Sequence, residues 1–181
     1  MSAVLELTLK IPRDEIAIAA DDSVTLPYAK RQRSRQRLRL DLGGEARLVL
    51  PPRTRLEIGD HVCSGEGFRV LVRAAPEELS QARTSDTHLL ARACYHLGNR
   101  HVALEVGPGW VQYEPDHVLD EMVRRLGLSV EAVSAPFSPE RGAYHDHGHA
   151  ADHRQGGGSA PTASAGPRQE SEAPDAPEAV R

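Results

Sequence analysis

The chain has 181 residues, 39% of them hydrophobic and only 4% aromatic, and its 22 Lys and Arg against 26 Asp and Glu give a formal charge of −4. No long apolar run occurs, and the start Met1-Ser2-Ala3-Val4-Leu5-Glu6 lacks the basic and apolar stretches of a secretory signal, so membrane spanning and export are disfavoured and the cytoplasm is the expected address. Two cysteines, Cys63 and Cys94, are too few for a disulfide scaffold and match no paired zinc or redox motif.

Along the first 75 residues apolar side chains alternate with polar ones, the period of a half-buried strand. Strands are expected around Val4 to Leu7, Leu38 to Leu42, Arg47 to Leu50 and Phe68 to Val72, with no helix between them. Gly43-Gly44 and Ser64-Gly65-Glu66-Gly67 supply hairpin turns, while Pro51-Pro52 and Gly59-Asp60 punctuate the rest. Residues 1–75 therefore read as a small all-β domain.

From residue 85 the period becomes helical. Leu89, Leu90, Ala93, Cys94 and Leu97 form one stripe, with Ser85 or Asp86 as N-cap and Gly98 placed to end the helix. His101 to Val106 and Trp110 to Tyr113 read as strands around the Gly107-Pro108-Gly109 turn. Pro115 opens a second helix with the stripe Val118, Leu119, Met122, Val123 and Leu126, closed by Gly127, and a last strand follows at Leu128 to Val133. With Glu77 to Arg83 as an edge strand the order over 76–137 is β-α-β-β-α-β, the ferredoxin-like arrangement, so the fold class is α+β.

Composition changes after Phe137 to Gly, Ala, Pro, Ser, His and acidic residues, which bury too little apolar surface to offset the ordering entropy. Residues 138–181 are expected to be a disordered tail. They hold the densest chemistry in the chain, because His145, His147, His149 and His153 fall within nine residues. Imidazoles in such a cluster suit Ni, Cu, Zn or Fe(II), the same ligands would accept Co, and on intrinsic preference Cu(II) leads. His101 and His117 are the candidates within the packed part, whereas His88 and His96 lie off the apolar stripe of the first helix.

Lys30-Arg31-Gln32-Arg33-Ser34-Arg35-Gln36-Arg37-Leu38-Arg39 places six positive charges in ten residues, and on a strand the arginines share one face. Tyr28 is the one aromatic near them, so single-stranded nucleic acid is disfavoured and a solvated or docking face is the better reading. The chain holds no P-loop, no His-Glu-x-x-His helix and no Gly-x-Ser-x-Gly elbow, which argues against an enzyme.

Four phrases point together to one family: Leu26-Pro27-Tyr28-Ala29-Lys30-Arg31-Gln32-Arg33-Ser34-Arg35, Ala93-Cys94-Tyr95-His96-Leu97-Gly98-Asn99-Arg100-His101, Asp116-His117-Val118-Leu119-Asp120 and Ala135-Pro136-Phe137-Ser138-Pro139-Glu140-Arg141-Gly142-Ala143-Tyr144. In that order they resemble UreE, the nickel metallochaperones among the urease accessory proteins. The resemblance implies a homodimer whose N-terminal domain is similar to chaperone peptide-binding folds and whose ferredoxin-like C-terminal domain dimerises and binds Ni(II). It further implies that His101 reaches an interface metal site from both subunits, that tail histidines complete the coordination, and that Ni(II) passes to the urease apoprotein complex through a partner GTPase. Relatives with an auxiliary site carry histidine just before the Asp-His-Val-Leu phrase, where this chain has Glu114 and Pro115, which leaves His117 without an imidazole neighbour. Two rival expectations are a protein-docking module built on the Arg31 to Arg39 stripe and a metal-dependent hydrolase using Asp116 and His117.

Overall fold

The computed structural model describes residues 4–15 and 19–141, so the histidines from 145 to 153 lie outside the described residues. Its first part contains β1 (Leu5–Leu7), β2 (Leu9–Ile11), a 3-10 turn at Arg13–Glu15, β3 (Asp22–Leu26), α1 (Tyr28–Arg31), β4 (Arg35–Arg39), β5 (Glu45–Val49), β6 (His61–Cys63) and β7 (Arg69–Ala74). Two sheets result, ordered β1-β5-β4 and β2-β6-β7-β3. Alternation explains the burial: Leu38 on β4 and Ala46 and Leu48 on β5 point inward, while Arg37, Arg39, Glu45 and Arg47 point out. The inward set joins Leu7, Val24, Val62, Val70 and Val72 in one core, each fully buried aliphatic side chain contributing about 1.5–3 kcal/mol before entropy is counted. Gly43 and Gly44, at φ of 102° and 99°, make the β4–β5 turn that an L residue would strain.

The expectation of no helix here is corrected by α1. Pro27 caps it at φ −67°, already suited to helix entry, and Ala29, Lys30 and Arg31 are good helix formers. Four residues are too few to produce a repeating stripe, so periodicity passes over the element. The helix also breaks the expected arginine stripe: Arg31 turns inward to 1% exposure, and only Arg35, Arg37 and Arg39 share the exposed face of β4.

Asp41 ties the two sheets at one corner. Its carboxylate accepts hydrogen bonds from Ser23 Oγ at 2.7 Å, Thr25 Oγ1 at 2.9 Å and Thr25 N at 3.1 Å. Partial desolvation pushes the carboxyl up, but these bonds, with Arg73 nearby, outweigh it and hold the group below the ordinary carboxylate range. A depressed folded-state value means that the stabilisation is complete above the unfolded carboxyl value, about 3.9, and is lost as pH falls through the lower folded value. Thermal melts from pH 7 to pH 2.5 should therefore show Asp41→Asn less stable than the parent at neutral pH, with the gap closing below about pH 4. A gap independent of pH would contradict the assignment.

The second part contains β8 (Pro76–Arg83), α2 (Thr87–Gly98), β9 (Glu105–Gly107), β10 (Trp110–Tyr113), α3 (His117–Arg125) and β11 (Ser129–Pro136). The sheet order β11-β8-β10-β9, antiparallel throughout, is the ferredoxin-like one expected from the element sequence. β8 is central and not an edge strand, because β11 pairs with it from Ser129 opposite Arg83 to Pro136 opposite Pro76 while β10 takes its other side. Ala93, Leu97 and Val123 from the helices pack on Ala82, Val111 and Tyr113 of the sheet. Val118, expected on the apolar stripe, is 60% exposed, since at 100° per residue it lies about 140° around α3 from the buried Val123.

A buried junction joins the two parts. The Arg31 guanidinium donates through Nη2 to the carbonyl of Phe137 and lies 5.6 Å from the centre of the Tyr28 ring, which itself meets Phe137 edge-on at 5.4 Å. Tyr28 N donates to Glu77 Oε1 at 2.7 Å. Burial pulls the Arg31 guanidinium down, and Glu57, Glu77 and Glu105 oppose that shift. Contacts continue past the composition change at Phe137: Ser138 N donates to Glu105 Oε2, Glu140 N to Leu104 O, and Arg141 pairs with Glu57 at 3.3 Å.

Candidate functional site

α2 begins with the Asp86 carboxylate accepting from His88 N at 2.8 Å and Leu89 N at 3.2 Å, and its end is the more informative. Gly98 is its last helical residue, but the chain reverses three residues later, at His101, whose φ is +57°. His101 N donates to Gly98 O at 2.9 Å and Val102 N to Leu97 O at 3.4 Å, the paired bonds of a Schellman cap with histidine at the left-handed position that glycine usually fills. The expected strand from His101 is thereby displaced to Glu105–Gly107, because a left-handed residue cannot start a ladder. Holding a side chain in this conformation costs about 1–2 kcal/mol. The gain is an exposed imidazole on a rigid helix end.

His117 is the first residue of α3 and is exposed. Its neighbour Asp116 is occupied as N-cap: Oδ1 accepts from Val118 N at 2.8 Å and Leu119 N at 3.0 Å, and these bonds hold the carboxyl below its ordinary range. A carboxylate used in this way is poorly placed to serve the hydrolase expected as a rival. Among the described residues no three or more His, Cys, Asp or Glu side chains gather into a metal site. Within one chain His101, in the turn after α2, and His117, at the start of α3, belong to no such cluster, and His145, His147, His149 and His153 lie outside the described residues.

Burial pushes both the Cys63 and the Cys94 thiols up, away from the thiolate that binds metal. Apolar surface does border the histidines: Tyr95, 66% exposed, stacks edge-on against His96 at 5.4 Å in the last turns of α2, and the exposed Val118 follows His117.

Comparison with known proteins gives the architecture its context. Residues 5–75 match the model of the UreE urease accessory protein N-terminal domain, and residues 77–160 that of its C-terminal domain. The chain belongs to the UreE urease accessory protein family. The urease accessory protein UreE of Pseudomonas putida strain GB-1 is 48% identical over 149 residues, 81% of this chain and 90% of its own. That of Alkalilimnicola ehrlichii is 48% identical over 141 residues, covering 78% and 85%, and that of Enterobacter sp. strain 638 is 48% identical over 128 residues, covering 70% and 84%. A UreE protein is an accessory protein of urease and not itself an enzyme, in line with the missing catalytic motifs. No described helix is long and apolar enough to cross a membrane.

Sequence reasoning selected His101 and His117 but missed the cap that presents His101 and the junction that buries Arg31. Asn99-Arg100-His101 after the apolar stripe carried a usable signal for the first, since Asn and His are the side chains that tolerate the left-handed region best after glycine. For the second no local signal exists, because Arg31 meets Phe137 across 106 residues of sequence.

Proposed function

We propose that this protein is a cytoplasmic nickel metallochaperone. As a homodimer it binds Ni(II) as cargo through His101 of both subunits and delivers it, through a partner GTPase, to the urease apoprotein complex. The observation that carries the reading is the left-handed His101. A strained, exposed imidazole at a position suited to glycine is the kind of outlier that function maintains. A two-fold axis doubles one such ligand into two. The exposed Tyr95 and Val118 supply apolar surface for that association.

Two imidazoles are an incomplete shell, and incompleteness suits a carrier. His145, His147, His149 and His153 fill the remaining positions at an effective concentration of order mM and give way to a competing acceptor. His117 is a secondary ligand. Zn, Cu or Co would bind the same donors, so availability of the metal, more than geometry, selects nickel.

Ni(II) titrations of the full chain by calorimetry test this ligand set. Imidazole binds metal only when deprotonated, so affinity should fall steadily as pH drops below about 6.5, the ordinary histidine value. Removing the residues after Tyr144 should lower the number of ions bound per chain. Affinity constant between pH 8 and pH 5 would defeat a histidine site, and a chain that stays monomeric at all nickel concentrations would defeat a shared one.

A further inference from the structure

β4 is the outer strand of its sheet, and the proposed metal site does not use its arginines. Leu50 N donates to Ser34 O at 2.9 Å and Leu40 N to Gly44 O at 3.1 Å. The even-numbered residues therefore bond towards β5, while the backbone N–H and C=O groups of Arg35, Arg37 and Arg39 face off the edge. The opening has a definite end: Asp41 N donates to Ser23 O at 2.8 Å, so the β3 segment closes the edge just beyond Arg39.

The side chains of the three arginines stand in a row on the exposed face. Arg37 lies directly opposite Arg47, a like-charge pairing that disfavours the sheet. Glu6 and Glu45 are the carboxylates that the strands place on that face. Glu6 reaches Arg47 at 3.4 Å, but among the described residues no carboxylate lies within ion-pair distance of Arg35, Arg37 or Arg39. Positive charge therefore grows from β1 towards the open edge, where a groove of about 410 Å³ is lined by Arg35, Arg37, Arg47 and Val49.

Candidate occupants differ in how much of this they satisfy. A second copy of β4 would bring arginines against arginines. A nucleic acid would answer the charge, but its backbone cannot complete a β ladder, and Tyr28, which could stack on a base, is engaged by Phe137 and Arg31. An extended polypeptide answers both: its backbone pairs with the free groups of the edge, and carboxylates at alternate positions fall beside successive arginines.

We propose that the edge of β4 takes up an acidic segment of a partner protein as an added strand, in which carboxylates at three alternate positions meet Arg35, Arg37 and Arg39. The open backbone and the charge select the same ligand. A carboxylate arriving beside Arg37 also offsets its repulsion from Arg47, so a strain carried by the free protein favours the complex. The contact is exposed, so it loosens with salt.

The test uses the full chain and a fluorescent synthetic peptide with the core Glu-Val-Glu-Val-Glu. Anisotropy at low salt should show binding that weakens as salt rises. Arg35→Gln with Arg37→Gln, which removes two exposed ion pairs, should weaken it roughly tenfold. Arg37→Lys, which keeps the charge, should bind nearly as the parent does and so separates loss of the site from loss of the fold. The same peptide with its core amides N-methylated keeps its charge but cannot complete the ladder, and should lose most of its affinity. A core of the same composition with its glutamates contiguous should also bind less well, because only alternate residues share a face. Equal binding by either altered peptide, or equal competition by an oligothymidylate, would overturn the proposal in favour of an unspecific polyanion face. No binding, or binding indifferent to the arginine substitutions, would overturn it in favour of arginines that merely guard a sheet edge.

Discussion

Arg31→Ala is expected to lower the stability of the protein by about 1.5–3 kcal/mol, the worth of a buried hydrogen bond from a charged donor. The guanidinium is 1% exposed: the Phe137 carbonyl receives its Nη2 proton, its Nε–H is buried without a hydrogen-bond partner, and the fields of Glu57, Glu77 and Glu105 offset its desolvation only in part. Alanine would leave the Phe137 carbonyl without its donor and would also remove the cation from above the Tyr28 ring, an interaction worth about 0.5–2 kcal/mol. Arg31→Lys should recover only part of the loss, because an ammonium cannot reproduce the planar fork. Urea unfolding followed by circular dichroism reads the effect as a shift in midpoint at unchanged slope. If Arg31→Ala melts within about 1 kcal/mol of the parent, the junction is not held as described.

Substitutions at His101 should separate stability from function. Losing a supporting group beside a metal ligand already costs about 10- to 100-fold in affinity, so losing the ligand itself from both subunits should cost more than about 100-fold for Ni(II). His101→Ala and His101→Gly share that expectation. They differ in stability, because only glycine relieves the left-handed backbone at φ +57°. His101→Gly should gain about 1 kcal/mol, seen as a rise in Tm of roughly 2–4 °C, while His101→Ala should gain nothing. Nickel calorimetry beside thermal melts of the two variants decides the matter. A glycine variant that keeps its nickel affinity removes His101 from the site, and one whose Tm does not rise removes the strain.

The parts of the fold that the sequence made legible are those with a local pattern repeated often enough to read. The stripe Leu89, Leu90, Ala93 and Leu97 located α2, and Trp110 to Tyr113 located β10 to the residue. β2, β3 and β6 escaped notice, β3 because Asp22-Ser23-Val24-Thr25-Leu26 offers only two apolar residues to an alternation, and α1 because four residues cannot display a helical stripe. β8 was expected at the edge of its sheet and lies at the centre, since edge or centre is decided by the strands that pair with it and not by its own residues. In the candidate site, histidine as a residue type was visible, but its presentation was not. The left-handed turn at His101 depends on hydrogen bonds to Gly98 and Leu97, and Asp116 could be seen as a cap only once Val118 N and Leu119 N were placed against it.

The junction around Arg31 bears on how the molecule comes apart. Each part alone is of a size that buries only about 60% of the surface of its extended chain, and each would melt on its own terms if the connection were a simple tether. With an aromatic pair, a buried cation and the Arg141–Glu57 bridge shared between them, loosening either half exposes groups that the other has desolvated. The two halves are thereby coupled into one cooperative unfolding event, in which neither survives long without its neighbour.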